Sequence, residues 1–170
     1  MKNDNKITRG KKLSSLEKAY IAGLLDGEGC INIYRINTDY TKGKEKRLYP
    51  KYILSVTIYN SHFETIKWLH DTLGGYLQTR TSKNEKWRVN YAWRICANVA
   101  MAFLKEVKPY MRIKTNQANL AIKFQQKQSR FHKEKKGTDC GLSEDGHTFR
   151  ENCWLELKRL NHLISPAETK

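Results

Sequence analysis

The chain has 170 residues and carries 32 lysines and arginines against 17 acidic residues, a formal net charge of +15 at pH 7. This length fits one domain with one core, and so strong a positive field makes nucleic acid the expected partner. No apolar run approaches the roughly 18 residues needed to span a membrane, and residues 1–13 form a basic arm without the apolar core of a secretory signal. We therefore expect an intracellular, non-secreted protein that does not bind membranes, in an organelle or a prokaryotic cytoplasm.

The first predicted helix spans residues 16–27 and begins at a serine cap, Ser14 or Ser15. Small residues recur along it every four positions and therefore share one face, which lets a second helix approach closely. These residues are Ala19, Gly23 and Gly27. The helix closes on two acids, Asp26 and Glu28. If an identical helix packed against this face, the acids of both copies would meet at a twofold axis and offer a site for a divalent metal.

The rest of the chain alternates between strand and helix patterns. Period-two alternation predicts strands at 30–34, 51–59, 76–81 and 86–96, with a long basic connection between the first two. Helical spacing predicts helices at 63–73 behind a capping box from Ser61 to Glu64, at 98–105 behind Asn98, from Thr115 or Asn116 onward, and at 143–164. Residues 14–170 are thus expected to form a single domain in which residues 129–142 are a charged linker to the last helix. This order predicts an α+β fold with a four-stranded antiparallel sheet and helices packed on one face.

The other face of the predicted sheet has nothing to cover it. Its residues can contact phosphates and the edges of bases: Asn32, Tyr34, Lys51, Ser55, Thr57, Tyr59, Gln78, Arg80, Arg88, Asn90 and Arg94. Any antiparallel sheet with one solvated face shows such alternation, but the excess of basic residues favours a DNA-binding surface. Tyr34 and Tyr59 would also suit stacking on unpaired RNA bases.

The four cysteines of the chain lie far apart, and none of them forms a CxxC pair. This arrangement does not indicate a disulfide framework. A zinc site made of Cys140, His147, Cys153 and His162 is a weaker alternative, because the spacings match no common zinc pattern and Cys153 falls on an apolar helix face.

The stretch from Ile21 to Gly29, Ile-Ala-Gly-Leu-Leu-Asp-Gly-Glu-Gly, resembles the nonapeptide of the LAGLIDADG homing endonucleases. Ala, Gly, Leu, Asp and the final Gly match by identity, whereas Glu28 replaces the second Asp. A second segment, residues 109–120, is similar to the block in which a basic residue opens the next helix of that family. With the spacing between them, the resemblance covers roughly residues 16–131 and implies the αββαββα fold.

The resemblance also implies roles for individual residues. Glu28 would be the catalytic metal ligand, with the backbone carbonyl of Gly27 as a second contact, and Asp26 a structural or helper residue. Lys114 aligns with the family's basic residue near the scissile phosphate, and His62 falls where some relatives place a residue that organises water. The implied cofactor is Mg²⁺, for which Mn²⁺ or Ca²⁺ can substitute in the site.

The chain contains one copy of the motif, and cutting both strands of DNA requires two sites. We therefore predict a homodimer joined through Ala19, Gly23 and Gly27, a pseudo-palindromic double-stranded target, 3′ overhangs and a role in intron homing. One alternative is an RNA maturase that helps its host intron RNA to splice, and another is a DNA-binding regulator that does not cleave. Retention of Glu28 and Lys114 favours the nuclease.

Overall fold

The computed structural model describes residues 13–42, 45–81, 88–134 and 144–162; within them, the side chains of 38–42, 45–49, 129–134 and 144–145 are not described. The elements in chain order are α1 Ser15–Glu28, β1 Gly29–Lys42, β2 Glu45–Asn60, α2 Phe63–Leu73, β3 Tyr76–Arg80, β4 Asn90–Cys96, α3 Ala97–Val107, a 3-10 turn Lys108–Tyr110, α4 Thr115–Glu134 and α5 Glu144–His162. The predicted α+β architecture is confirmed.

The four strands form one antiparallel sheet in the order β1-β2-β4-β3. β1 and β2 are much longer than predicted, and they pair from Gly29 opposite Ile58 to Lys42 opposite Glu45. The basic connection expected between them is therefore a two-stranded ribbon, which the prediction missed because charged residues there hide any alternation. β4 pairs only with residues 55–60 of β2, so the ribbon extends beyond the four-stranded part of the sheet.

The core lies between one face of the sheet and the helices. Alternate residues of the strands are fully buried on this side, as their apolar pattern predicted: Ile31, Ile33, Leu54, Val56, Ile58, Trp93 and Ile95. α1, α3 and α4 supply the opposing apolar side chains, including Ile21, Leu25, Leu104 and Phe124. The opposite face of the sheet carries no helix among the described residues, as expected.

Two predicted helix starts differ from those observed. α1 begins with the capping box of Ser14 and Glu17, but α2 is capped by His62, whose Nδ1 accepts a hydrogen bond from the backbone N–H of Thr65 at 3.4 Å. The box predicted from Ser61 to Glu64 was therefore wrong by one residue. α3 begins directly after β4 at Ala97, so Asn98 is not its cap.

The C-terminal helices also differ from prediction in their length. α4 continues to Glu134, so the first residues of the segment predicted as a linker are helical, and residues 135–143 lie outside the description. α5 buries Cys153 and Leu157 as its pattern predicted. Cys140, which the zinc alternative requires, and the N-terminal arm up to residue 12 also lie outside the described residues. No described helix has the length and apolar character that crossing a bilayer requires.

Candidate active site and nucleic-acid interface

The C-terminal end of α1 places Glu28 on the surface. Glu28 is the last helical residue, and both it and Gly27 are exposed. The chain then enters β1 at Gly29 without a loop, and a Cβ atom at this position would lie 2.6 Å from the carbonyl oxygen of Leu25. Only glycine fits there, which explains the last residue of the motif.

Asp26, two residues earlier, is turned inward and is only 9% exposed. Its carboxylate accepts three backbone hydrogen bonds from the segment that precedes α4: from the N–H of Arg112 at 2.6 Å, of Ile113 at 3.1 Å and of Lys114 at 3.0 Å. Both carboxylate oxygens are used. Asp26 therefore anchors the start of α4 to the end of α1, the structural role expected of it.

Lys114 makes the reciprocal contact. Its Nζ donates to the carbonyl oxygens of Leu25, at 3.0 Å, and of Asp26, at 2.5 Å, the last carbonyls of a helix, where a cation is stabilising. Burial lowers the pKa of Lys114, and the nearby charges of Asp26, Cys30 and Glu28 oppose that shift only in part. The predicted basic residue therefore lies at the same helix end as Glu28, but its ammonium group binds backbone oxygens.

His62 is not brought to this point. Its ring caps α2 and contacts the hydroxyl of Thr65 at 3.0 Å, and it borders a surface cavity together with Leu16, Glu17 and Tyr20 of α1. Glu17 and Glu28 are eleven residues apart on the same helix, a rise of about 16 Å at about 1.5 Å per residue. The water-organising role of His62 stays a prediction without a contact that supports it.

The open face of the sheet carries two arginine–tyrosine pairs. The guanidinium carbon of Arg94 lies 5.8 Å from the centre of the Tyr34 ring, and that of Arg80 lies 5.2 Å from the centre of the Tyr59 ring. Arg94 also donates to the hydroxyl of Thr57 at 3.3 Å. Because these four side chains interact across β1, β2, β3 and β4, the open face is a connected basic surface.

The remaining predicted DNA contacts divide by exposure. Those on the surface are Tyr34, Lys51, Gln78, Arg80, Arg88 and Asn90, whereas Asn32, Tyr59 and Arg94 are half-buried. Ser55 and Thr57 lie on the open face but are only 1% and 2% exposed. In this conformation they support the surface from beneath instead of forming it.

Sequence reasoning missed other residues on the same face. Tyr76 is 46% exposed and lies opposite Arg94 in the register, beside Gln78 and Arg80 on β3. Its signal was present in the sequence, because Tyr76 precedes Gln78 by two positions. Cys30 begins the open face of β1 beside the helix end, and burial raises the pKa of its thiol, which nearby Lys114 partly opposes.

The predicted dimer face of α1 is exposed along its length. Ala19, Gly23 and Gly27 are all exposed, and Cβ atoms added at either glycine would meet nothing within 4 Å. Leu16 and Tyr20 lie on the same side of the helix and are 84% and 53% exposed. Unlike Gly29, the two glycines are thus not required by packing within the described part of the chain.

Comparisons with known proteins agree with these features. The family model described as LAGLIDADG endonuclease matches residues 21–126. No curated protein matches the chain in sequence.

Several solved structures share its fold. The homing endonuclease I-CvuI, solved with the I-CreI target DNA in 2 mM Mg, is 17% identical with a TM-score of 0.53, over 88% of this chain and 97% of that one. The archaeal intron-encoded homing endonuclease I-Vdi141I, complexed with DNA, is 16% identical with a TM-score of 0.61, over 88% and 92%. I-GzeII, also solved with its DNA target, is 14% identical with a TM-score of 0.54, but the match covers 83% of this chain and only 43% of that one.

Proposed function

This chain belongs to the LAGLIDADG endonuclease family, and on that premise we propose that it is a site-specific DNA endonuclease that acts as a homodimer with a divalent metal. It binds a long pseudo-palindromic double-stranded site and leaves 3′ overhangs, as in intron homing. The observation that carries the proposal is the position of an exposed acid, Glu28, where α1 runs into an uncovered basic sheet.

The open face is the proposed DNA surface. Arg94 and Arg80 are held over tyrosine rings, so their charges face outward in restrained positions. Residues 45–54 of β2 extend beyond β4, which at about 3.3 Å per residue adds about 33 Å of reach along a groove. A basic ribbon of this length supports recognition of a long site.

The same arginines favour duplex DNA over unpaired RNA. The rings of Tyr34 and Tyr59 would have to stack on exposed bases in an RNA complex, but each already has an arginine over it. No contact of the described residues favours the maturase or the non-cleaving regulator.

The donor groups at the end of α1 suit Mg²⁺. The Glu28 carboxylate is exposed, and Lys114 takes the carbonyls of Leu25 and Asp26 but not that of Gly27. Mg²⁺ prefers oxygen ligands and is commonly held by one or two carboxylates together with substrate phosphates. The described residues contain no cluster of three potential metal ligands, so the Glu28 carboxylate and Gly27 carbonyl of each copy would bind the metal together with DNA.

Each residue at the helix end has a distinct part in the proposed reaction. When bound, the metal supplies an activated water and stabilises charge at the scissile phosphate. Asp26 fixes the direction of the helix end, and Lys114 keeps a positive charge beside it, which would stabilise charge that develops on the phosphate.

The homodimer is supported by the face of α1. Gly23 and Gly27 leave open space that the described part of the chain does not fill, and a second α1 could approach closely there. One chain carries one such acid, and it matches less than half of I-GzeII. Two copies would supply two sites.

Cleavage of DNA spanning the intronless locus tests the proposal. We expect metal-dependent double-strand cutting by the wild type, and Glu28→Gln should abolish cutting while DNA binding persists. Glu106→Gln, which alters an exposed glutamate paired with Lys18 on the surface, is the matched control and should cut normally. Cutting by Glu28→Gln at the wild-type rate would reject the metal assignment.

A further inference from the structure

A groove lies on the surface between the first half of α1 and the start of α2. Its volume is about 480 Å³, and it is lined by Leu16, Glu17, Tyr20, His62, Glu64, Thr65 and Trp68. Tyr20 packs edge-on against Trp68, with ring centres 5.9 Å apart, and this pair forms the apolar floor. The proposed function assigns no role to this groove.

The exposed residues beside the groove continue the predicted dimer face. Leu16, Ala19, Tyr20, Gly23 and Gly27 are all exposed, and their spacing of three and four places them on one side of α1. The side chains change along this side from glycine near Glu28 to leucine and tyrosine near the groove. Two such helices can touch closely at the acidic end, but they must diverge where the bulky residues begin.

The area of the interface argues that the groove takes part in it. A specific protein–protein interface buries roughly 800 Å² on each partner, and a stripe of one alanine and two glycines offers little apolar surface. Leu16, 84% exposed, and the adjoining groove supply the missing apolar area. A twofold interface is self-complementary, so one protruding residue and one groove on each copy satisfy both copies.

We propose that the groove is the docking site for a second copy of this chain, and that Leu16 of each copy lies in the groove of the other. This inference rests on the proposed homodimer and adds the residues that stabilise it. The glycines set how closely the helix ends approach, whereas Leu16 and the groove provide the free energy of association.

Sedimentation velocity over a range of concentrations tests the contribution of Leu16. Leu16→Ser removes an apolar side chain from the interface twice per dimer and should weaken dimerisation by about a hundredfold, at about 1.5 kcal/mol for each buried side chain. Leu155→Ser is the control, because Leu155 is 50% exposed on α5, and it should leave the dimer unchanged. Unfolding midpoints near that of the wild type would show that both variants fold.

Cross-linking tests the contact itself. A tagged Leu16→Cys chain is mixed with an untagged Glu64→Cys chain and oxidised, and a mixed disulfide of tagged and untagged chains should form. Asn152→Cys, at an exposed position on α5, replaces Glu64→Cys in the control and should not link.

The two proposals fail in different ways. A dimeric wild type with no mixed disulfide, or with unchanged dimerisation of Leu16→Ser, would overturn the groove contact alone. A wild type that stays monomeric in solution and on DNA would overturn the homodimer and the groove contact with it.

Discussion

The buried carboxylate of Asp26 makes a prediction about stability that requires no knowledge of the DNA target. Asp26 accepts hydrogen bonds from three consecutive backbone N–H groups, of Arg112, Ile113 and Lys114. Asp26→Asn keeps the size of the side chain but replaces one acceptor oxygen with a donor. We therefore expect the variant to be less stable because one side of the amide must face a backbone N–H.

The magnitude follows from which bonds survive. If the amide oxygen of the variant occupies the position of Oδ2, the bonds from Arg112 and Ile113 remain but lose the carboxylate charge. The N–H of Lys114, which is buried, then loses its acceptor, at about 1–3 kcal/mol for an unsatisfied buried donor. With the weaker remaining bonds, the total should be about 2–4 kcal/mol, a large part of a typical stability of about 5–15 kcal/mol.

Urea unfolding of the wild type and the variant measures this difference. Asp71→Asn is the matched control, because Asp71 is an exposed carboxylate in a surface pair with Lys67 at 2.6 Å, and such pairs contribute about 0–1 kcal/mol. If Asp26→Asn lost no more stability than Asp71→Asn, the three hydrogen bonds could not be what holds α1 to α4.

Three further predictions concern other parts of the chain. Gly75→Ala should destabilise by about 2–5 kcal/mol, because Gly75 has φ +92° and a Cβ would lie 2.7 Å from the backbone oxygen of Arg94; Gly23→Ala adds its methyl group to open space and should not destabilise the fold. Because the pKa of Lys114 is lower in the folded chain, the unfolded chain binds more protons between that pKa and the ordinary one, so wild-type stability should rise relative to Lys114→Met as pH increases through this interval; a constant difference in urea titrations from about pH 7 to about pH 10.5, the ordinary lysine pKa, would contradict it. Arg94→Ala should reduce the slope of log affinity for DNA against log salt by about one per copy, and an unchanged slope in binding titrations would mean that Arg94 does not contact phosphate.

The fold could be predicted from sequence where burial imposes a period. Ile31, Leu54 and Trp93 alternate with polar residues because one side of the sheet is packed and the other is open. The ribbon could not be predicted in this way, since no core selects a pattern in residues 36–51. The cap of α2 was missed because His62 takes the position expected of Ser61, and histidine is not among the residues that usually cap helices.

The site was predictable in position but not in contacts. The motif located Glu28 and Lys114, which the structure brings to one helix end. Spacing alone could not show that the ammonium group of Lys114 binds backbone carbonyls, or that Ser55 and Thr57 lie beneath longer neighbours. Such facts depend on side-chain direction across several strands, which a one-dimensional pattern does not record.

The ribbon of β1 and β2 has a consequence for solubility. Where β2 runs through residues 45–54, neither strand of the ribbon has a further neighbour in the described sheet, and free backbone edges of this kind can pair with another molecule and begin aggregation. Lys42, Lys46, Arg47 and Lys51 lie in this part of the chain, and their mutual repulsion keeps two ribbons apart. The charges that attract a polyanion thus also protect the unbound protein, and a short anionic polymer that neutralises them without filling the groove of a duplex should promote clumping.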